Sequence, residues 1–419
     1  MNNDSKQHFI ATPVWQVVAF YLSSFVAFSV NSMFSYSLVI YTRHITESDS
    51  LTGLVFLLIF GPFAIFSLVG GITADRYSRK LIIILASAVA AVFIAIMALT
   101  IEAGLVNASS FWILGVFAIG YGMIVPFMAT ARIAMVANIL PEHRLGTGTI
   151  VMSIISVVGF GLGPMIAGLL KESVSWSWLF AFNGFGWVVS GLGFVLVSKM
   201  HPQEKAPQAS HLEDFKEGIR YIFNHKLLLQ ICLFMVIVAI FILGPYQTLM
   251  PEFLKQAFDL GEKQRGLFMA IFGVGLLIGG IFTTVLRSHN RRGLFLIAST
   301  MFIGATLAMV SASASYYPSL IFLFISGCLG GVSNGLVSAI MQEETPDRVR
   351  GRVMSMYTFI VIGMPALGGL IFSILAQSTS LASSIVVAGL IAFVCSVLLT
   401  LVSKQLRANT VGGAELANA

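Results

Sequence analysis

The chain has 419 residues, 57% of them hydrophobic and 10% charged, with a mean hydropathy of +0.91. Soluble domains carry about 25% charged residues, so this composition excludes an ordinary soluble protein, a disordered chain or a nucleic-acid binder. It marks a polytopic membrane protein, and the net charge of +6 has its explanation in where the basic residues lie.

A helix needs about 20 apolar residues to cross the hydrocarbon core. Twelve such runs stand at 14–41, 51–73, 81–101, 111–131, 149–170, 176–197, 227–249, 266–286, 293–313, 318–340, 353–376 and 382–402. The first is too long for a signal peptide and a second span follows it. With the N-terminus placed inside, nineteen of the 24 Lys and Arg residues fall on the inner side and five outside. The positive-inside rule then puts both termini in the cytoplasm and accounts for the basic charge without a nucleic-acid partner.

Along the chain, span one carries Tyr21, Ser24, Phe28, Asn31 and Ser35 on one helical stripe, with Tyr36 beside it. Between spans two and three stands Gly71-Ile72-Thr73-Ala74-Asp75-Arg76-Tyr77-Ser78-Arg79-Lys80. Gly71 is expected to let span two approach a neighbour closely. Asp75, at a helix end beside Arg76 and Arg79, needs a cationic or helix-terminal partner. Tyr121 falls in the middle of span four and Arg132 at its inner end. Span five holds Gly159, Gly161, Gly163, Pro164 and Gly168, which make a bendable, closely packed helix.

The longest polar stretch, 199–226, divides the spans six and six. Leu212, Phe215, Ile219 and Ile222 within it share a helical face, which predicts an interfacial helix. The expected organisation is a bundle over 1–198, a linker over 199–226 and a second bundle over 227–419. In span seven Tyr246 and Gln247 follow a Gly244-Pro245 break, and Tyr246 lies 210 positions after Tyr36, as a pseudo-symmetric mate would. Ser326, Gly330, Asn334 and Ser338 share a face of span ten, and span eleven adds Tyr357 and Thr358. The halves echo each other. Pro141-Glu142-His143-Arg144-Leu145-Gly146 answers Pro346-Asp347-Arg348-Val349-Arg350-Gly351, Val151-Met152-Ser153 answers Val353-Met354-Ser355, and Arg79-Lys80 answers Arg291-Arg292. Repeated six-helix halves are what alternating-access carriers use.

The 71–80 segment resembles the signature loop of the major facilitator superfamily, G-x-x-x-D-R/K-x-G-R-R/K, with Ser78 in place of a glycine. The Gly163-Pro164…Gly168 pattern resembles the G-P-x-x-G-G element of its antiporter branch, with Ala167 in place of one glycine. The segments 141–145 and 345–355 are similar to the branch containing the enterobactin exporter and macrolide efflux proteins. The resemblance implies an all-α membrane protein with twelve transmembrane helices in two pseudo-symmetric six-helix bundles. It implies a latch at Asp75, Arg76, Arg79 and Lys80 joining the halves on the cytoplasmic side, for which Arg132 is the expected partner of Asp75. It also implies a cavity lined by spans one, four, seven and ten. There Tyr21, Ser24, Asn31, Tyr36, Tyr121, Tyr246, Gln247, Asn334 and Tyr357 are the expected lining, all without fixed charge.

A charge at mid-bilayer costs at least about 2.5–3.5 kcal/mol, and none is found near the middle of any span. If transport is proton-coupled, Glu252 outside and Glu343 or Glu344 inside are the expected carriers. Cys232, Cys328 and Cys395 sit far apart in apolar runs, giving neither a disulfide framework nor a metal site. No catalytic triad, H-E-x-x-H or phosphate-binding loop is present, so no cofactor is expected and no enzyme. The expectation is a monomeric secondary efflux transporter of the bacterial inner membrane. It would exchange amphipathic organic molecules, drugs or a siderophore, for protons. An uptake carrier of the same fold and a non-transporting receptor are the alternatives.

Overall fold

The computed structural model describes residues 12–197, 211–313 and 315–408. Among them, twelve helices are long and apolar enough to cross a membrane. They are α1 (Val14–Thr46), α2 (Asp49–Arg76), α3 (Arg79–Glu102), α4 (Trp112–Ile139), α5 (Leu145–Lys171) and α6 (Trp176–Val195), then α7 (Lys226–Thr248), α8 (Glu262–Leu286), α9 (Arg292–Ala312), α10 (Tyr316–Glu343), α11 (Asp347–Ser378) and α12 (Leu381–Val402). Most outrun the apolar runs that announce them, because the backbone stays helical past the last residue that needs lipid. Caps fix several starts: the side chains of Ser48, Ser175 and Ser380 accept from backbone N–H groups of the first turns of α2, α6 and α12.

The packing has a twofold pattern. In the N-terminal half α1 packs on α5, α2 on α4, and α3 on α4 and α6; in the C-terminal half α7 packs on α11, α8 on α10, and α9 on α10 and α12. Advancing every helix number by six converts the first set into the second. The two large contacts between halves, α2 on α11 and α5 on α8, convert into each other by the same exchange. These are two pseudo-symmetric six-helix bundles.

Proline and glycine shape the helices that cross between halves. Pro164 and Pro365 lie inside α5 and α11. In α7 the Gly244-Pro245 step is preceded by a π-helical stretch, Ala239–Leu243, the form a helix takes when it absorbs an extra residue. Backbone then meets backbone: Gly368 of α11 lies so close to the carbonyl of Ile240 that no Cβ fits there.

Of the expected linker, residues 199–210 lie outside the described residues. The rest forms a helix, His211–Asn224. It is not simply laid on the lipid surface. Ile222 is buried in the C-terminal core, Glu217 pairs with Arg352 of α11, and a Cβ on Gly218 would come 2.8 Å from the Arg352 carbonyl. The linker helix is docked on the start of α11. The side chains of Leu212 and Phe215 lie outside the described residues.

Candidate functional site

The face bearing the linker helix is called here the linker face, and its opposite the far face. On the far face the halves are in close contact. The side-chain oxygen of Gln377 in α11 accepts from the backbone N–H of Asp49 (2.9 Å) and the hydroxyl of Ser48 (3.1 Å), so α11 caps the start of α2 in the other half. A Cβ on Gly53 of α2 would meet Ser373 of α11 at 2.6 Å, and Gly168 and Gly266 bring α5 and α8 together the same way. Further in, Gly161 of α5 meets Gly273 of α8, and Gly363 of α11 meets Ala64 of α2.

Beyond those contacts, toward the linker face, a cavity of about 410 Å³ lies between the halves. Its walls come from both bundles and are mostly apolar, with Phe28, Phe60, Phe63, Phe160 and Phe272 prominent. Asn31 of α1, Gln247 of α7 and Asn334 of α10 supply its carboxamides. The Tyr121 hydroxyl donates to Asn31 Oδ1 at 3.0 Å, and the Tyr357 hydroxyl donates to Asn334 Oδ1 at 2.7 Å. The two asparagines are thereby each held by a tyrosine. Tyr121 stacks on Phe34 with centroids 3.8 Å apart.

The expected lining residues separate by depth. Asn31, Gln247 and Asn334 line the cavity. Tyr121 and Tyr357 stand behind the two asparagines. Tyr36 and Tyr246 are buried above the cavity, where they converge with Ser32, Ser35 and Gln247 on a small void of about 20 Å³, room for about one water. Tyr246 donates to the Met269 carbonyl at 2.8 Å, while the Tyr36 hydroxyl has no hydrogen-bond partner. Tyr21 donates to the Gly148 carbonyl of α5 at 3.0 Å. Ser24 is fully buried against Arg132.

Arg132 departs most from expectation. It neither ends its helix nor meets Asp75. Helix α4 continues to Ile139, which leaves Arg132 about two turns inside it. It is 1% exposed and contributes to the cavity wall. The cavity is therefore not free of charge: Arg132 is the ionisable residue among the described residues that line it. The signal was in the sequence, since Ile133–Leu140 is apolar apart from Asn138.

Of the expected latch residues, Arg79 and Lys80 make their hydrogen bonds within their own half. Arg79 donates to Asn138 Oδ1 at 2.6 Å and the Ala134 carbonyl at 2.9 Å, and its Nη2 lies 3.5 Å from Asp75 Oδ1. Lys80 donates to the carbonyls of Val195 and Val197, closing the end of α6. Arg76 is exposed. Gly71 has open space where a Cβ would be; the close approach is made one residue earlier, by Gly70 against Pro126 and Phe127 of α4. The α5 glycines divide their work: Gly159 and Gly163 press on α1, Gly161 and Gly168 on α8 across the interface.

The carboxylates expected to carry protons stand at the rims. Glu252 lies 4.0 Å from buried Arg265 near the far face, where Glu262 also pairs with that arginine. Glu343 and Glu344 pair with Arg292 at the linker face. Arg292 joins the start of α9 to the end of α10, as Arg79 joins the start of α3 to the end of α4. No group of His, Cys, Asp and Glu among the described residues could hold a metal ion.

The family profile of the Major Facilitator Superfamily matches residues 20–364 and 246–417. The enterobactin exporter EntS of Shigella boydii is 24% identical over 392 residues, spanning 93% of this chain and 92% of the relative. The same protein of Salmonella typhimurium gives equal values. Among solved structures, an inward-facing bacterial homologue of the lysosomal transporter Spinster superposes with a TM-score of 0.69 at 14% identity, covering 94% of this chain and 96% of that one. A D-xylose–proton symporter superposes with a TM-score of 0.72 at 12% identity, covering 94% and 99%.

Proposed function

The chain belongs to the Major Facilitator Superfamily, and from that premise we propose that it exports amphipathic organic molecules across the bacterial cytoplasmic membrane by alternating access. The observation that carries this reading is a cavity of about 410 Å³ between two pseudo-symmetric halves, closed on the far face by Gln377 on α2 and by the α5–α8 glycines. The excess of Lys and Arg near the linker face makes that face cytoplasmic under the positive-inside rule. The structure then corresponds to the inward-facing state, loading from the cytoplasm. The likeness to enterobactin exporters along nearly the whole chain favours outward movement and a siderophore or drug as cargo.

Proton antiport is the coupling we propose, carried by rim carboxylates rather than by the cavity. Glu252 near the far face, beside Arg265, and Glu343 and Glu344 at the linker face, beside Arg292, are the carboxylates to which this reading assigns the protons. A monomer suffices, since the cavity is complete within one chain.

The test is transport into inverted membrane vesicles with a panel of dyes, macrolides and siderophores. Accumulation that a proton gradient drives and a protonophore abolishes is the expected result. Accumulation only in right-side-out vesicles would make the protein an uptake carrier, and no movement of any compound would remove the transport reading.

A further inference from the structure

A buried cation without an anion is expensive, and an ionisable residue inside a membrane bundle marks a functional site whose partner has to be identified. Arg132 has no carboxylate partner among the described residues. Its Nη1 donates to the hydroxyls of Ser23 (3.0 Å) and Ser24 (3.4 Å), and its Nη2 donates to Ser190. Those hydroxyls send their own protons to backbone: Ser23 to the Ser190 carbonyl, Ser190 to the Ser23 carbonyl and Ser24 to the Phe20 carbonyl. Each therefore gives the guanidinium a lone pair and no charge. The Phe194 ring lies 4.6 Å from the guanidinium carbon and is also neutral. The Nε has no acceptor. An arginine stays protonated in proteins, so a residue in the cavity wall carries one full positive charge that hydroxyls and a ring face stabilise but no carboxylate among the described residues neutralises.

The rest of the lining supplies no opposing charge. No Asp or Glu is among the described residues that line the cavity. Its carboxamides, Asn31, Asn334 and Gln247, are neutral. Phenylalanines form much of the remaining wall, which favours an apolar or aromatic body.

We propose that the cavity selects organic anions, with Arg132 supplying the counter-charge that the chain itself lacks. The inference rests on the transport reading above and names the charge class of its cargo. A unit charge this near, in an effective dielectric of about 20, favours an anion over its neutral counterpart by a factor of about ten or more in Kd. A purely structural arginine, clamping α1 and α6 to α4, would hold the bundle together without giving that preference.

The experiment uses the full-length protein in nanodiscs and a matched pair of probes, 1-pyrenebutyrate and neutral 1-pyrenebutanol. Binding is read by energy transfer from tryptophan, Trp187 being in the cavity wall, against empty nanodiscs. The wild type should bind the butyrate at least about tenfold more tightly than the butanol. Arg132→Gln should bring the ratio to near one, and Arg132→Lys should keep most of it. Should Arg132→Gln fail to fold, Ser24→Asp carries the test, because it leaves the guanidinium in place and supplies an internal anion; the ratio should again fall to near one. A wild-type ratio near one, no binding of the butyrate, or a preference that survives Ser24→Asp would overturn the proposal. Anion preference in nanodiscs without movement in inverted vesicles would instead count against the transport reading and leave the assignment of Arg132 standing.

Discussion

Gly161 of α5 and Gly273 of α8 meet backbone to backbone across the two halves: a Cβ built on Gly273 would lie 2.6 Å from the Gly161 Cα. The contact sits where the closed far side gives way to the cavity, so it is where one bundle can roll against the other. Small residues at such a crossing permit close approach and leave nothing to interlock.

Enlarging this contact should therefore stop transport without emptying the membrane of protein. Gly273→Leu cannot be accommodated without separating α5 from α8, because the obstructing atoms are backbone. We expect export to fall at least about tenfold, as a shift of about 1.4 kcal/mol or more in the balance of states would produce, at near-normal abundance. Export at the wild-type rate would show that the two helices do not move on each other there.

Gln377 makes a second prediction. Its side-chain oxygen accepts three hydrogen bonds of 2.9, 3.1 and 3.4 Å from the start of α2, each worth at most about 0.5–1.5 kcal/mol. Gln377→Ala should raise the fraction of molecules open at the far face. A cysteine at Ser373, buried where α11 meets Gly53, should then react faster with a membrane-impermeant maleimide in a background lacking the native cysteines. An unchanged rate would mean that the cap does not hold the face shut.

The two asparagines should govern which compounds are carried. Asn31→Ala is expected to change the substrate profile with little effect on abundance, because it removes a cavity-facing group. Tyr121→Phe frees the Asn31 oxygen and should shift the same profile, at a stability cost of about 1 kcal/mol. Tyr246→Ala differs: that side chain is 2% exposed and its hydroxyl holds the Met269 carbonyl. Its loss opens a cavity costing about 3–5 kcal/mol, so abundance itself should fall. Identical substrate profiles in all three variants would remove these residues from recognition.

Asp75→Asn tests the latch. In this conformation Asp75 is 3.5 Å from Arg79 and 43% exposed, and such a pair is worth at most about 1 kcal/mol. The variant should be as stable as the wild type yet export poorly, since the role assigned to Asp75 belongs to the state in which the linker face closes. Normal export would remove that role.

Much of the fold was legible because lipid imposes its own ruler: twelve apolar runs and a repeated set of motifs give, among the described residues, twelve helices of membrane-spanning length and two related halves. What was not legible depends on which way a helix turns and where it stops. The stripe from Tyr21 to Ser35 is real, yet only part of it reaches the cavity, because at the depth of Ser24 the side chain of Arg132 fills the space in front. Gly70 and Gly71 are indistinguishable in sequence, but 100° of helical rotation decides that the first faces α4. Sequence puts Arg132 near a helix end because hydropathy weakens around a charge, whereas the backbone, held by packing, continues seven residues further to Ile139.

The central claim is that two rigid halves rock about one cavity. Paired spin labels measure it directly: one pair at Thr149 and Ser288 on the linker face, another at Ser173 and Lys263 on the far face, all exposed positions. When a transported compound or an acid shift is applied to the protein in nanodiscs, the linker-face distance should shorten as the far-face distance lengthens. Distances that stay fixed, or that change in the same direction on both faces, would contradict the account.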